Sequence, residues 1–218
     1  MNRRFNTHFF WGQHSPLSSL SKAGLIIMAS SRFSFALICS LALVWVYGLT
    51  TLVFLCARPI MPSAGKKVIL LFLSAFLCAI FMLLLGFLNP LLILGTTFFI
   101  LLIPVCCLGS TSFEAAGSTV LLESVSRAVI EALTLGGVIV ALALIREPLG
   151  MGILSFPGGV QGIIELFVNQ DADSIIPVRI FSISAGGLLL LGYSVALYRY
   201  FREQNGSAPH DEDMQEGN

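Results

Sequence analysis

The chain has 218 residues, of which 56% are hydrophobic and 11% are charged. A soluble domain carries roughly 25% charged residues, so this composition excludes an ordinary water-soluble protein and leaves room for about five or six membrane spans. The 12 basic and 12 acidic side chains cancel, which excludes a nucleic-acid-binding surface. The five cysteines lie in or beside apolar runs, which excludes a secreted disulfide framework.

Five long apolar runs follow one another along the chain, and each approaches the roughly 20 residues that a membrane span needs. Because backbone amides in lipid must be bonded within their own segment, these runs are predicted to be helices. A sixth and weaker candidate contains Lys22 and several serines, and it either crosses the membrane, re-enters it or lies at its surface. The five runs are residues 34–56, 68–88, 91–108, 128–145 and 180–198, and the sixth is 17–31.

Clustered basic residues indicate the orientation of these spans. Arg58, Lys66 and Lys67 lie in one loop, Arg199 and Arg202 follow the last run, and four runs separate the two clusters. Both clusters therefore lie on one side, which the positive-inside rule makes cytoplasmic. The two arginines near the N-terminus join that side only when 17–31 also crosses, so six spans satisfy the rule better than five. We predict an all-α, polytopic protein of the cell inner (cytoplasmic) membrane with a cytoplasmic C-terminus.

A short internal repeat divides the predicted membrane domain into halves. Residues 29–36 can be laid on 109–116 with four matches in eight, and with six spans the two blocks follow the first and the fourth. An offset of three spans inverts one half relative to the other, which predicts two inverted three-helix repeats with a working site near the midplane. We expect helix breaks near Gly24 and at Pro104–Gly109. We assign residues 1–16 to an N-terminal extension, 17–202 to the membrane domain and 203–218 to an acidic, disordered tail.

Two thiols and one carboxylate are the candidate site residues. Cys106 and Cys107 lie between Pro104 and Gly109, where a broken helix exposes backbone polar groups, although ordinary buried packing explains such cysteines equally well. Neighbouring helical residues point about 100° apart, so the two thiols do not easily face one metal. Glu131 is an ionisable residue in a span and a candidate for an ion path, or else a surface partner of Arg127 four residues earlier.

Small residues and a polar helix end complete the set of notable features. Gly136, Gly137, Gly186 and Gly187 allow helices to approach closely, within this chain or against a partner subunit. The segment 145–152 reads IREPLGMG, and we expect its proline to stop the helix at an interfacial terminus whose arginine snorkels or bonds the last carbonyls.

Taken together, the short first span, the LG-terminated fourth run and the IREPLGMG segment resemble the paired six-helix membrane subunits of Rnf and Nqr electron-transport complexes, of the RnfA/RnfE and NqrD/NqrE type. The resemblance covers residues 17–202, and its most specific part is 145–152, which matches the REhLG-G signature of that family. It implies a pseudo-symmetric pair of related subunits that holds one [2Fe–2S] cluster between them, with two cysteines from each subunit.

The chain departs from the family at the cluster ligands. The family's Gly-Leu-Cys-Pro stretch matches residues 24–27, which read GLII, so the first half has no thiol before Cys39. In place of Asn-Cys-x-x-x-Gly stand Pro104 and Val105, with Cys106 one position late, and residues 110–114 replace the family's Arg-Ala-Glu-Ala. The resemblance thus implies a retained scaffold whose redox centre is changed or lost, with Cys106 as the first candidate iron ligand and Cys107 as the second.

The function implied by this resemblance is that of a non-catalytic or electron-carrying subunit of an ion-translocating oxidoreductase. Such a subunit helps to move electrons across the membrane, coupled to Na⁺ or H⁺ movement. Its expected partners are a related six-helix subunit, the other Rnf- or Nqr-type subunits and the lipid bilayer, with no nucleic acid. The alternative is a membrane transporter or structural subunit without a redox centre.

Overall fold

A computed structural model describes residues 16–57, 65–108, 110, 121–158, 163–165 and 183–206 of the chain. Within these residues the chain is almost entirely helical, and a short antiparallel pair of strands joins Ser155–Pro157 to Ile163–Glu165. The helices are α1 (Pro16–Ala29), α2 (Phe33–Ala57), α3 (Lys66–Leu88), α4 (Pro90–Ile100), α5 (Ile103–Leu108), α6 (Leu121–Met151) and α7 (Ser184–Gly206), and the strands are β1 (Ser155–Pro157) and β2 (Ile163–Glu165).

Four segments of the described chain are long and apolar enough to cross a membrane, which confirms an all-α, multi-pass membrane protein. Two shorter apolar stretches, Leu20–Ala29 and Ser184–Leu197, accompany them, so the total of six crossings stays a prediction. The 14 residues of α1 extend about 21 Å, which is less than the roughly 30 Å core of a bilayer. The four long segments are Phe33–Ala57, Lys66–Leu88, Pro90–Leu108 and Glu123–Met151.

The centre of the molecule is the crossing of α2 and α6. A Cβ atom placed on Gly136 of α6 would lie 3.3 Å from the Ser40 Cα atom and overlap the Ser40 hydroxyl, so the absence of a side chain allows this close approach. Large apolar side chains are exposed on the outer helices, among them Phe72 and Phe76 of α3. In water such a surface would aggregate, whereas in a bilayer it faces lipid tails.

Several hydroxyl side chains inside the spans are bonded to the backbone one turn earlier, whereas the buried Thr50 hydroxyl has no hydrogen-bond partner within the described part of the chain. Thr51 donates to the Tyr47 carbonyl at 2.7 Å and Thr96 to the Leu92 carbonyl at 2.8 Å. These bonds let polar residues sit in apolar helices without an unpaired hydroxyl donor.

The helix breaks differ from those predicted. α1 is continuous through Gly24, so the predicted break there is wrong; one glycine costs a helix only about 1 kcal/mol. In the second half, the break between α4 and α5 falls at residues 101–102, ahead of the predicted position. Pro104 is the second residue of α5, in the first turn, where its missing N–H group would have no helical partner anyway. Gly109 lies outside the described residues.

The helix that carries the IREPLGMG segment is longer than the sequence predicts at both ends. α6 begins at Leu121, and it continues through Pro148 to Met151, so the prediction that Pro148 stops it is wrong. The helix ends one turn later, where Gly152 takes a φ of 68° and donates its N–H to the Pro148 carbonyl at 3.0 Å. At the other end of the chain, α7 extends to Gly206, so the first residues assigned to the acidic tail are helical. The predicted N-terminal extension and the rest of that tail lie outside the described residues.

Candidate functional site

The short helices α1 and α5 pack against each other, and their contact gathers the residues that the sequence singles out. A Cβ atom on Gly24 of α1 would lie 3.8 Å from a methyl carbon of Leu102, just ahead of α5. Cys106 on α5 interacts with the Ser21 hydroxyl and lies near the Lys22 ammonium group, both on α1. The predicted thiol therefore faces the first helix rather than lipid.

The second thiol faces the central helix pair. Cys107 interacts with the hydroxyl of Tyr47 on α2, and both side chains have 0% exposure. The Glu131 carboxylate on α6 is close enough to interact electrostatically with both Tyr47 and Cys107. The structure thus brings Cys106, Cys107 and Glu131 into one region, as a working site would require.

The carboxylate of Glu131 forms an ion pair with Lys22, with 3.4 Å between Oε1 and Nζ. The pair joins α1 to α6, and the two side chains are 29% and 22% exposed. Arg127 instead pairs with Glu123 one turn earlier on α6, which shows that the predicted partnership of Arg127 with Glu131 is wrong. We call the group gathered here the half-helix cluster; its members are Ser21, Lys22, Tyr47, Cys106, Cys107 and Glu131.

The thiols of the half-helix cluster do not have the geometry of an iron–sulfur site. Among the described residues, no group of three or more His, Cys, Asp or Glu side chains is placed to hold a metal ion. An iron–sulfur cluster shared with a partner would need thiolates that reach the subunit surface, and a [2Fe–2S] cluster takes four such ligands in all. Cys106 and Cys107 are both completely enclosed by this chain, so in this arrangement they do not fit a shared cluster.

A second polar site lies at the end of α6, where Glu147 binds the start of α2. Glu147 is 1% exposed, and its Oε2 atom accepts the Phe33 N–H at 2.9 Å and the Ser155 N–H at 3.2 Å. The first amides of a helix lack partners within the helix and carry the positive end of its dipole. A carboxylate supplied by a different helix therefore caps α2, from 114 residues further along the chain.

Arg146 binds the helix end that precedes this cap. Its Nη1 atom donates to the Ile27 carbonyl at 2.8 Å, in the last turn of α1, and to the Ser30 hydroxyl at 3.2 Å. A cation at a helix C-terminus is the electrostatic counterpart of an anion at an N-terminus. A Cβ atom on Gly187 of α7 would lie 3.1 Å from the same nitrogen, so this glycine makes room for the guanidinium group.

Together Arg146 and Glu147 hold both sides of the turn between α1 and α2, and we call this pair the turn staple. β1 extends the same site: the Ser34 N–H donates to Ser155 Oγ at 3.5 Å, and the Phe33 and Phe156 rings meet edge to face at 5.1 Å. The sequence predicts a snorkelling arginine that bonds its own helix, but the arginine is 4% exposed and bonds a different one. Local sequence gives no signal for a contact of this range.

The four glycines predicted to form close faces divide into two kinds. Gly136 packs on α2, and Gly187 packs on Arg146, so these two serve contacts within the chain. Gly186 is likewise buried. Gly137 is exposed, with nothing within 4 Å of a Cβ placed on it, and it is the one of the four that remains open to a neighbouring subunit.

Comparison of the chain with known proteins adds nothing to this description, since no family model and no curated protein matches it.

Proposed function

We propose that this chain is a membrane subunit of an Rnf-type ion-translocating electron-transport complex, in the inner membrane of a cell, with its C-terminus in the cytoplasm. The observation that carries the proposal is the junction of the two short helices α1 and α5 beside an ion pair and two thiols. Short helices that meet inside a membrane domain are characteristic of proteins that move ions, because their ends and side chains provide polar groups away from water.

The pattern of helix contacts supports the inverted repeats that the sequence predicts. α2 packs on α6 at the centre, and α1 packs on α5. α3 packs on α5, and correspondingly α7 packs on α1. Suppose that α1, α2 and α3 are matched in order with α5, α6 and α7. The contact of α3 with α5 then corresponds to the contact of α7 with α1, and the α1–α5 and α2–α6 contacts each correspond to themselves, as two related three-helix units would require.

The turn staple supports the same proposal, because it gives a physical role to the segment that carries the resemblance. Arg146 and Glu147 are the Arg-Glu pair of the IREPLGMG segment, and they fix the turn from the short helix α1 into the span α2. Gly152, the last residue of that segment, ends the helix in a left-handed conformation that favours glycine. The motif is thus a structural device that positions α1.

We propose further that this copy keeps the scaffold of the family and takes no iron–sulfur cluster on Cys106 or Cys107, since both thiols are enclosed. In such a complex the electron carriers belong to other subunits. This chain contributes the membrane-embedded charges, Lys22 and Glu131, that are suited to coupling Na⁺ or H⁺ movement to electron flow. A related six-helix subunit would pack on the face that contains Gly137.

The second candidate is a transporter or structural subunit outside any redox complex. The enclosed thiols favour it, because they are not placed to bind a redox centre shared with a partner. The ion pair and the turn staple likewise do not require an electron carrier nearby. The two candidates differ in their partners rather than in their fold.

Gentle solubilisation of native membranes followed by affinity purification through this chain distinguishes them. We expect flavin-bearing or ferredoxin-like subunits to co-purify, together with a related membrane subunit. We also expect the iron content of the purified complex to be the same for the native chain and for Cys106→Ala. Recovery of the chain without redox subunits would favour the second candidate, and loss of iron in Cys106→Ala would place a cluster on that thiol after all.

A further inference from the structure

The Lys22–Glu131 pair joins two helices through groups that are expensive to place in lipid. An isolated charge inside a membrane is disfavoured by several kcal/mol, and such residues usually pair with each other or line an ion path. Lys22 is on the short helix α1, and Glu131 is about 15 Å along α6 from its first residue. Both belong to the half-helix cluster, where α1, α2, α5 and α6 meet.

The contact between the two charges is loose. Charge-assisted N–H···O bonds are typically about 2.7–2.9 Å long. Here the distance from Nζ to Oε1 is 3.4 Å, and neither side chain is fully enclosed. Glu131 is therefore held near a compensating charge without being completely enclosed by the protein.

The surroundings of Glu131 suit a small, hard, singly charged ion. One carboxylate balances one positive charge, and the hydroxyl of Tyr47, a neutral oxygen group, lies within electrostatic range of Glu131. Divalent cations usually require several carboxylates or waters, and among the described residues no acidic group of that size is present. The two thiols are soft ligands and select other metals.

We propose that Lys22 is a built-in counter-cation, and that its ammonium group and a monovalent alkali cation bind the Glu131 carboxylate in alternation. This inference rests on the ion-moving role proposed above and names the group through which it operates. The exchange keeps the Glu131 carboxylate paired with one positive charge in both states, while rotation of the side chain carries the displaced ammonium away from it. It needs only a rotation of the lysine's flexible four-carbon chain, while the turn staple holds the end of α1 in place.

The test uses the purified full-length chain in lipid nanodiscs, with sodium chloride replacing choline chloride at constant ionic strength. Removing the competing ammonium should expose the carboxylate, so we expect sodium to raise the unfolding temperature of Lys22→Gln more than that of the native chain. The double variant Lys22→Gln/Glu131→Gln should lose this response. Glu123→Gln is the matched control, because it removes an exposed carboxylate from the same helix. A sodium response of Lys22→Gln no larger than that of the native chain, or one that persists in the double variant, would overturn the proposal.

A second measurement remains decisive if Lys22→Gln does not fold. Equilibrium binding of radioactive sodium to the native chain should depend on Glu131, so we expect it to be lost in Glu131→Gln and kept in Glu123→Gln. Equal sodium binding by the native chain and Glu131→Gln, or no binding by either, would refute the site. Neither measurement involves a partner protein, so their failure is distinguishable from a failure to co-purify redox subunits.

Discussion

Replacement of Glu147 tests whether the turn staple stabilises the fold as its geometry indicates. The carboxylate accepts two backbone N–H groups, from Phe33 and Ser155, and is almost completely buried. In Glu147→Ala both donors lose their acceptor in a site that excludes solvent. In Glu147→Gln the amide oxygen replaces Oε2 as acceptor, while the negative charge at the start of α2 disappears.

The expected magnitudes follow from these contacts. Hydrogen bonds to charged groups contribute about 1.5–3 kcal/mol each, and a buried donor left unpaired costs about 1–3 kcal/mol. We therefore expect Glu147→Ala to lower the free energy of unfolding by about 3–5 kcal/mol. Loss of the charge alone removes its interaction with the helix dipole, so Glu147→Gln should cost about 1–2 kcal/mol.

The buried cysteines of the chain allow its unfolding to be measured. Four of its five cysteines are buried and Cys56 is exposed, so a fluorogenic maleimide reports unfolding once Cys56→Ser has removed the background. Unfolding curves of the native chain, Glu147→Gln and Glu147→Ala are then compared in the same mixed micelles. A loss below about 1 kcal/mol in Glu147→Ala would refute the role of the staple, because two buried donors cannot lose their acceptor so cheaply.

Three further outcomes are expected. Gly136→Ala should destabilise the chain by about 1–3 kcal/mol, because the added Cβ would overlap the facing helix. Gly137→Ala, at the neighbouring open position, should be neutral or slightly stabilising. Equal effects of the two variants in unfolding curves would argue against the observed helix crossing. Arg146→Lys should lower the unfolding temperature, because a point-like ammonium cannot reproduce the guanidinium contacts with Ile27 and its neighbours, and an unchanged unfolding temperature would contradict this. In the folded chain Cys56 should react with maleimide while the four buried thiols do not, as mass spectrometry can count, and rapid labelling of more than one thiol would contradict the observed burial.

The long spans could be predicted from sequence because hydropathy alone determines them. The run 68–88 lies within α3, Lys66–Leu88, almost residue for residue. The start of α6 could not be predicted in this way, since its first turns carry Glu123 and Arg127 and read as a loop by hydropathy. The two residues are compatible with a helix because they pair four positions apart, one turn along its surface, although such an exposed pair contributes only about 0.2–0.5 kcal/mol.

The contacts within the candidate sites are beyond sequence reasoning, although the sequence indicates half of the residues in the half-helix cluster. The sequence indicates Cys106, Cys107 and Glu131 individually, but the partner of Glu131 is 109 residues away on α1. In the sequence Lys22 is only an unfavourable charge within the weakest candidate span. No periodicity or local motif encodes a pairing across such a distance, because it depends on how the short helices pack in three dimensions.

The length of chain between the two sides of the turn staple has a consequence for how the protein is made. The turn between α1 and α2 leaves the ribosome long before its anchors, because Phe33 precedes Glu147 by 114 residues. At roughly 5–20 residues per second, synthesis of that interval takes about 6–23 s. Throughout this time α1 is a short segment that contains a lysine and lacks its contacts with Arg146. Its final placement in the membrane is therefore a late event of biogenesis, which must wait for α6 to be inserted.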